Sequence, residues 1–195
     1  MLHCFETIGE VYIRDFLKKV PYESPKTFIM GVLRFMLTFT ILTIGTIKEK
    51  YLSDAIAEYT KRLGAYARVK IVECKEEHLP DNPSAAEIRA AIAREGERLL
   101  ENLPKRAYVC ALCIEGKECT SPAFAEKLDT LATEGYSDIV FIIGGSDGLS
   151  DTVKQRADWR LSFSPMTFPH QLMRVILTEQ LYRAMNIRYG GKYHK

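Results

Sequence analysis

The stretch Asp138-Ile139-Val140-Phe141-Ile142-Ile143-Gly144-Gly145-Ser146-Asp147-Gly148 decides how this chain folds. A short apolar run closed by a turn signal reads as a strand covered on both faces, and such strands belong to parallel sheets flanked by helices. The glycines behind it allow a sharp turn and let a ligand approach the main chain closely.

Working outward, strand and helix signals alternate. Upstream, residues 37–44 read as a strand, and Leu52, Ala55, Ile56, Tyr59, Leu63 and Tyr66 recur at helical spacing, predicting a helix over 51–66. Residues 69–74 follow as a strand. Ser84 with Glu87 three positions later has the capping-box pattern for a helix reaching about residue 101. Residues 107–114 are the third strand, and Ser121-Pro122 predicts an N-cap with proline at the first helical position, for a helix to about residue 134. Downstream, 150–156 reads as a short helix, 159–163 as a fifth strand, and a longer helix runs from Pro169 to about residue 186. The order predicts an α/β fold: a mostly parallel sheet with helices on both faces. Ligands in such sheets bind beyond the carboxyl ends of the strands, where 112–114, 144–148 and 163–169 all fall.

Residues 1–35 have a different character and read as an appendage to a domain spanning 36–195, with Met36 a candidate biological start. Phe5, Ile8, Tyr12 and Phe16 suit a short amphipathic helix that Pro21 and Pro25 break. The apolar run over 28–44 is interrupted by Arg34 and diluted by Thr38, Thr40 and Thr43, which argues against a membrane span. No early basic stretch precedes a compact apolar segment with a cleavage site, as a signal peptide requires.

At 195 residues the chain is long enough for one core without staples, and 47% hydrophobic with 27% charged residues excludes disorder as the main account. Five irregularly spaced cysteines fit a reducing cytoplasm better than a secreted disulfide framework. Cys110 and Cys113 lie three apart on a strand, pointing to opposite faces, and no second ligand pair follows, so no metal is expected. The net charge of +2 hides an asymmetry: from His170 onward five cations face one anion, Glu179. That basic end suits either a local polyanion contact or a solvated helix terminus.

The glycine loop lacks the G-x-G-x-x-G spacing of a dinucleotide site, and Asp147 within it would repel a pyrophosphate. A nicotinamide enzyme is therefore disfavoured. Leu172, Met173, Val175, Ile176 and Leu177 surround the axis of the last helix, which predicts burial on more than one side and hence a homodimer.

Three dispersed motifs, I-G-G-S-D-G-L-S, S-P-M-T-F-P-H-Q-L-M-R-V leading into E-Q-L-Y-R-A, and the terminal Tyr193-His194-Lys195, resemble the SPOUT superfamily. Within it they resemble the ribosomal large-subunit methyltransferase H family, which methylates N3 of a pseudouridine in 23S ribosomal RNA. Thr43-Ile44-Gly45, Glu95-Gly96-Glu97 and Ile114-Glu115-Gly116-Lys117 add to the likeness, which covers 36–195. The resemblance implies a C-terminal trefoil knot, S-adenosylmethionine held by Leu112, Gly144, Phe163, Ser164, Pro165, Met166, Thr167 and Phe168, and a large subunit or whole ribosome as partner. Departures are the 1–35 extension, Cys113 where an acidic residue is common, and a tail ending at Lys195 instead of an Arg-Glu pair.

Leu112, Met166 and Phe168 suit the faces of an adenine ring, with main-chain groups at its edge. His194 is the candidate catalytic residue for accepting the N3 proton or orienting the base, and Tyr193 for stacking on or hydrogen-bonding the nucleotide. Arg174, Arg188, Lys192 and Lys195 are the candidate RNA-binding cations. The tail of one subunit is expected to complete the cofactor site of the other. The alternative of a different class is a non-catalytic RNA- or ribosome-binding module of the same fold.

Overall fold

The structure, a computed structural model, describes residues 36–195. The amphipathic helix expected around Phe5 to Phe16 and the break at Pro21 to Pro25 lie outside the described residues. Ten elements alternate: β1 (Thr38–Ile44), α1 (Lys50–Leu63), β2 (Arg68–Cys74), α2 (Ala85–Glu101), β3 (Tyr108–Glu118), α3 (Ser121–Thr133), β4 (Asp138–Ile143), α4 (Asp151–Arg156), β5 (Trp159–Ser162) and α5 (His170–Arg188).

All strand pairings in the five-stranded sheet are parallel, and the order is β2-β1-β4-β3-β5. The most apolar strand, β4, therefore sits between β1 and β3. Its alternate residues feed two cores. Ile139, Phe141 and Ile143 pack with α1, α3 and α5, including Phe124, Leu128, Leu177 and Leu181. Val140 and Ile142 pack on the opposite face with Leu99 of α2 and Val153 of α4. Phe141 is fully buried between the rings of Phe39 and Phe124, with centroids at 6.2 and 6.0 Å. Truncating such a side chain to alanine costs about 3–5 kcal/mol.

Local signals hold where they are strongest. Ser84 and Glu87 form the reciprocal capping box at α2, and Ser150 caps α4 by accepting from the Val153 N–H. The cap of α3 is Thr120, one residue before the expected Ser121; its hydroxyl accepts from the Ala123 N–H, so Pro122 falls second in the helix. β5 ends at Ser162, which frees Phe163 for the following loop, and α5 continues to Arg188.

β3 departs most from expectation. It runs on to Glu118 and returns to β5 after a bulge, the register with β5 shifting between Leu112 and Lys117. Gly116 makes the return possible, since a Cβ there would lie 2.6 Å from the Leu161 carbonyl carbon. The bulge pushes Cys113, Ile114 and Glu115 out of the sheet plane's regular ladder and past its carboxyl edge.

Candidate functional site

Beyond the carboxyl ends of β3, β4 and β5 lies a cleft of about 810 Å³. Its walls are the β3 bulge, the glycine loop and the loop after β5, the three places where the chain leaves a strand.

The glycine loop is tight. Gly148 has a positive φ of 90°, its N–H donates to the Gly145 carbonyl, and a Cβ on Gly144 would stand 2.6 Å from the Gly148 carbonyl carbon. The loop rests on Glu95 of α2: a Cβ on Gly145 would approach the Glu95 Oε2 to 3.1 Å. Glu95 is buried and its Oε1 accepts from the Glu77 N–H at 2.9 Å. Burial pushes the Glu95 carboxyl up, with Glu76 and Glu77 adding to the effect.

The second wall is ordered by serines. The Ser162 hydroxyl donates to the Ser164 carbonyl and accepts from the Ser164 N–H, and the Met166 N–H donates to the Ser164 Oγ at 3.0 Å. These turns expose the Met166 side chain at the cleft. Of the eight residues expected to hold a cofactor, seven line this cleft: Leu112, Gly144, Phe163, Ser164, Met166, Thr167 and Phe168. Pro165 is not among them.

Glu115, Lys154, His170 and Met173 also line the cleft, and the sequence reading missed them as site residues. Lys154 Nζ pairs with Glu115 Oε1 at 2.5 Å and holds that carboxyl below its usual range. Burial lowers the His170 imidazole, with Arg174 adding to the shift. His170 follows Pro169 directly and was findable by position; Lys154, on the short α4, carried no local signal. Cys110 lies in the core while Cys113 faces the cleft, and both are free thiols pushed up chiefly by burial.

The candidate RNA-binding residues divide. Arg174 is 1% exposed. Its Nη2 donates to the carbonyls of Ile44 and Gly45 at 2.6 and 3.0 Å, and its Nη1 pairs with Glu73 at 3.0 Å. A guanidinium so enclosed presents nothing to a phosphate, which corrects the expectation for this residue. Arg188 is corrected likewise: its side chain is 6% exposed and its Nε pairs with Asp129 at 2.8 Å. Lys192 and Lys195 are exposed.

The tail folds back on α5 instead of fraying. After Gly190, with φ of 68°, the Gly191 N–H donates to the Asn186 carbonyl and the Tyr193 N–H to the Asn186 Oδ1 at 2.9 Å. The Tyr193 ring meets that of Tyr182 edge-on at 4.8 Å, and its hydroxyl donates to Glu179 at 3.0 Å. The Tyr193 phenol is pushed up by a hydrogen bond with Tyr59, then burial, then Glu179, so it stays neutral. Arg183 lies over the Tyr193 ring and reaches His194, which is exposed.

Within the chain the tail and the cleft are apart. Only His170 and Met173 of α5 line the cleft. Tyr182, on which Tyr193 packs, is nine positions beyond Met173, about 13 Å along a helix rising ~1.5 Å per residue. α5 buries Arg174, Leu177, Thr178, Leu181, Ala184 and Met185 along one stripe, and Leu172, Val175 and Ile176 remain partly exposed.

A family model described as "Predicted SPOUT methyltransferase" matches residues 37–194. Three similar proteins bear the name ribosomal RNA large subunit methyltransferase H. That of Leuconostoc mesenteroides is 52% identical over 155 residues, 80% of this chain and 98% of its own. That of Streptococcus thermophilus is 53% identical over the same length, with the same coverage. That of Bacillus pumilus is 52% identical over 159 residues, 82% of this chain and all of its own.

Proposed function

Because the chain belongs to the SPOUT methyltransferase family, we propose that it is an S-adenosylmethionine-dependent methyltransferase acting on N3 of a pseudouridine in 23S ribosomal RNA, on the assembled ribosome in the cytoplasm. The observation that carries the reading is the cleft itself. Seven of the residues that a SPOUT methyltransferase is expected to use for its methyl donor converge on one crevice at the carboxyl edge of the sheet.

The residues fit such a donor. Gly144 has no Cβ to hold the Gly148 main chain away, so the glycine loop closes tightly on itself and presents its backbone N–H and C=O groups at the cleft wall, where they could meet an adenine edge. Leu112, Met166 and Phe168 offer apolar cover for the ring faces. When bound, S-adenosylmethionine supplies an electrophilic methyl group on a sulfonium. The protein's part is to align an imide nitrogen with that methyl and to stabilise charge as the N3 proton leaves, and alignment alone is worth up to about 7–11 kcal/mol.

Tyr193 and His194 are the groups proposed to meet the target base, with Lys192 and Lys195 on its phosphates. Since the tail stands apart from the cleft of its own protomer, the proposal includes a homodimer in which each tail serves the partner's cleft. The partly exposed Leu172, Val175 and Ile176 on α5 supply an apolar strip for that contact. The knotted threading belongs to the same proposal. So does a domain boundary at Met36: the family match begins one residue later, and intact mass of protein made from the native gene tests Met36 as the start.

The test is transfer of labelled methyl from S-adenosylmethionine to ribosomes from a strain lacking this modification, with the product nucleoside identified. Label in N3-methylpseudouridine is the expected result. Donor binding without label on ribosomes, subunits or free RNA would reject the substrate. Failure to bind the donor would favour the non-catalytic ribosome-binding module.

A further inference from the structure

The end of the chain is held by a polar lattice centred on Glu179. Its Oε1 accepts from Arg183 Nε at 3.0 Å, from Arg183 Nη2 at 2.5 Å and from the Tyr193 hydroxyl at 3.0 Å. Its Oε2 accepts from Gln180 Nε2 at 2.7 Å, and Gln180 Oε1 in turn accepts from the Ser121 hydroxyl of α3 at 2.7 Å. One edge of the Arg183 guanidinium is thereby committed, and its plane is pinned 4.7 Å from the Tyr193 ring centroid. The remaining Nη1 is aimed at Nδ1 of His194, 3.4 Å away.

We propose that Arg183 is a positioning residue that sets the hydrogen-bonding polarity of His194, turning Nδ1 inward as an acceptor and presenting Nε2–H outward as a donor. The argument is one of inventory. A guanidinium has only donors, so the nitrogen facing it must keep its lone pair. A neutral imidazole whose Nδ1 is an acceptor carries its proton on Nε2. The exposed edge of His194 is then a donor with no lone pair to offer the N3 proton.

For the reaction proposed above, on which this role rests, the consequence is a choice between the two parts open to His194. It donates to a carbonyl oxygen beside N3 and stabilises the negative charge that spreads onto that oxygen as the N3 proton passes to solvent. Fixed donors aimed at developing charge are an efficient form of catalysis because they need no reorganisation at the moment of reaction. Glu179 has the companion part of holding Arg183 and Tyr193 together.

Nitrogen NMR of the full-length protein, with 15N in its histidine rings, tests the assignment without RNA. The His194 signals are identified by their loss in His194→Ala. Recorded at a pH where the ring is neutral, the expected result is the Nε2–H form alone, shifting to a mixture of the two forms in Arg183→Met and returning towards the single form in Arg183→Lys. A spectrum unchanged by Arg183→Met, or a proton on Nδ1 in the wild type, overturns the proposal. In the methyl-transfer assay Arg183→Met should lower kcat by about 10–100-fold with donor affinity unchanged, the lysine variant recovering part of it. Loss of donor affinity would instead mark Arg183 as structural support for the cleft. The spectrum is independent of substrate, so failure of the methyl-transfer reading and failure of the ring assignment are told apart.

Discussion

Arg174 Nη2 lies 2.6 Å from the main-chain oxygen of Ile44, 130 residues away in sequence, and so ties the first turns of α5 to the carboxyl end of β1. A second bond to Gly45 and the ion pair with Glu73 make this one cation a three-way clasp behind the cleft.

Arg174→Met should therefore reduce stability by about 2–4 kcal/mol, since it leaves two carbonyls and a carboxylate without their donor. Urea unfolding would show a lower midpoint with an unchanged slope. The salt dependence of ribosome binding should stay as in the wild type, whereas a phosphate-binding arginine would lower it by about one counterion.

Gly144→Ala should abolish measurable S-adenosylmethionine binding by calorimetry. The added methyl meets the Gly148 main chain at 2.6 Å, and backbone cannot step aside as a flexible side chain can. The loop has to open, and the cleft wall opens with it. Lys192→Ala, which does not line the cleft of its own chain and whose proposed contact is with RNA phosphate, should bind the donor normally.

Glu95 gives a pH signature. Its folded-state carboxyl is raised by burial, so between the ordinary carboxylate range and that raised value the folded protein holds a proton the unfolded chain has lost. Its contribution to stability is present at low pH and is lost as pH rises through the folded value. Glu77, lowered first by Arg98 and then by Arg94, acts in the opposite sense and loses its contribution as pH falls. Glu95→Gln keeps an acceptor for the Glu77 N–H but cannot ionise. The stability of Glu95→Gln relative to wild type, followed by urea midpoints from pH 4 to 8, should rise with pH.

Gly191→Ala should uncouple the tail. A Cβ there would lie 2.5 Å from the Asn186 Cγ, and moving that amide breaks its bond to the Tyr193 N–H. Turnover should fall about tenfold or more through misplacement of Tyr193 and His194, while donor affinity and the thermal midpoint stay near wild type.

Cys113 should be alkylated in the free protein and protected by S-adenosylmethionine, as read by mass spectrometry of the peptides, because it stands on the cleft wall. Its thiol is raised by burial, then by Glu115, so labelling should accelerate with pH and reach half its limit above the ordinary thiol value. Cys110, sealed in the core, should label only on unfolding.

What the sequence by itself determined is what short-range physics controls. Ser84 and Glu87 cap α2 because both partners lie within one turn, and residues 138–143 form a strand because six consecutive apolar-rich positions suit burial on two faces. The cleft loops were legible because each follows a strand end and combines glycine or proline with apolar residues. The order β2-β1-β4-β3-β5 was decided only by tertiary structure, since neighbouring strands are chosen by packing among segments far apart in the chain. The same holds for the charges. Arg174, Arg188 and Lys192 look alike as cations in a basic tail, yet Glu73, 101 residues from Arg174, and Asp129 on α3 take the first two out of solvent and leave the third exposed. The tail's return onto Glu179 and Asn186 is likewise invisible in a string, because a phenol, a guanidinium and an imidazole find their partners only when a helix face is there to receive them.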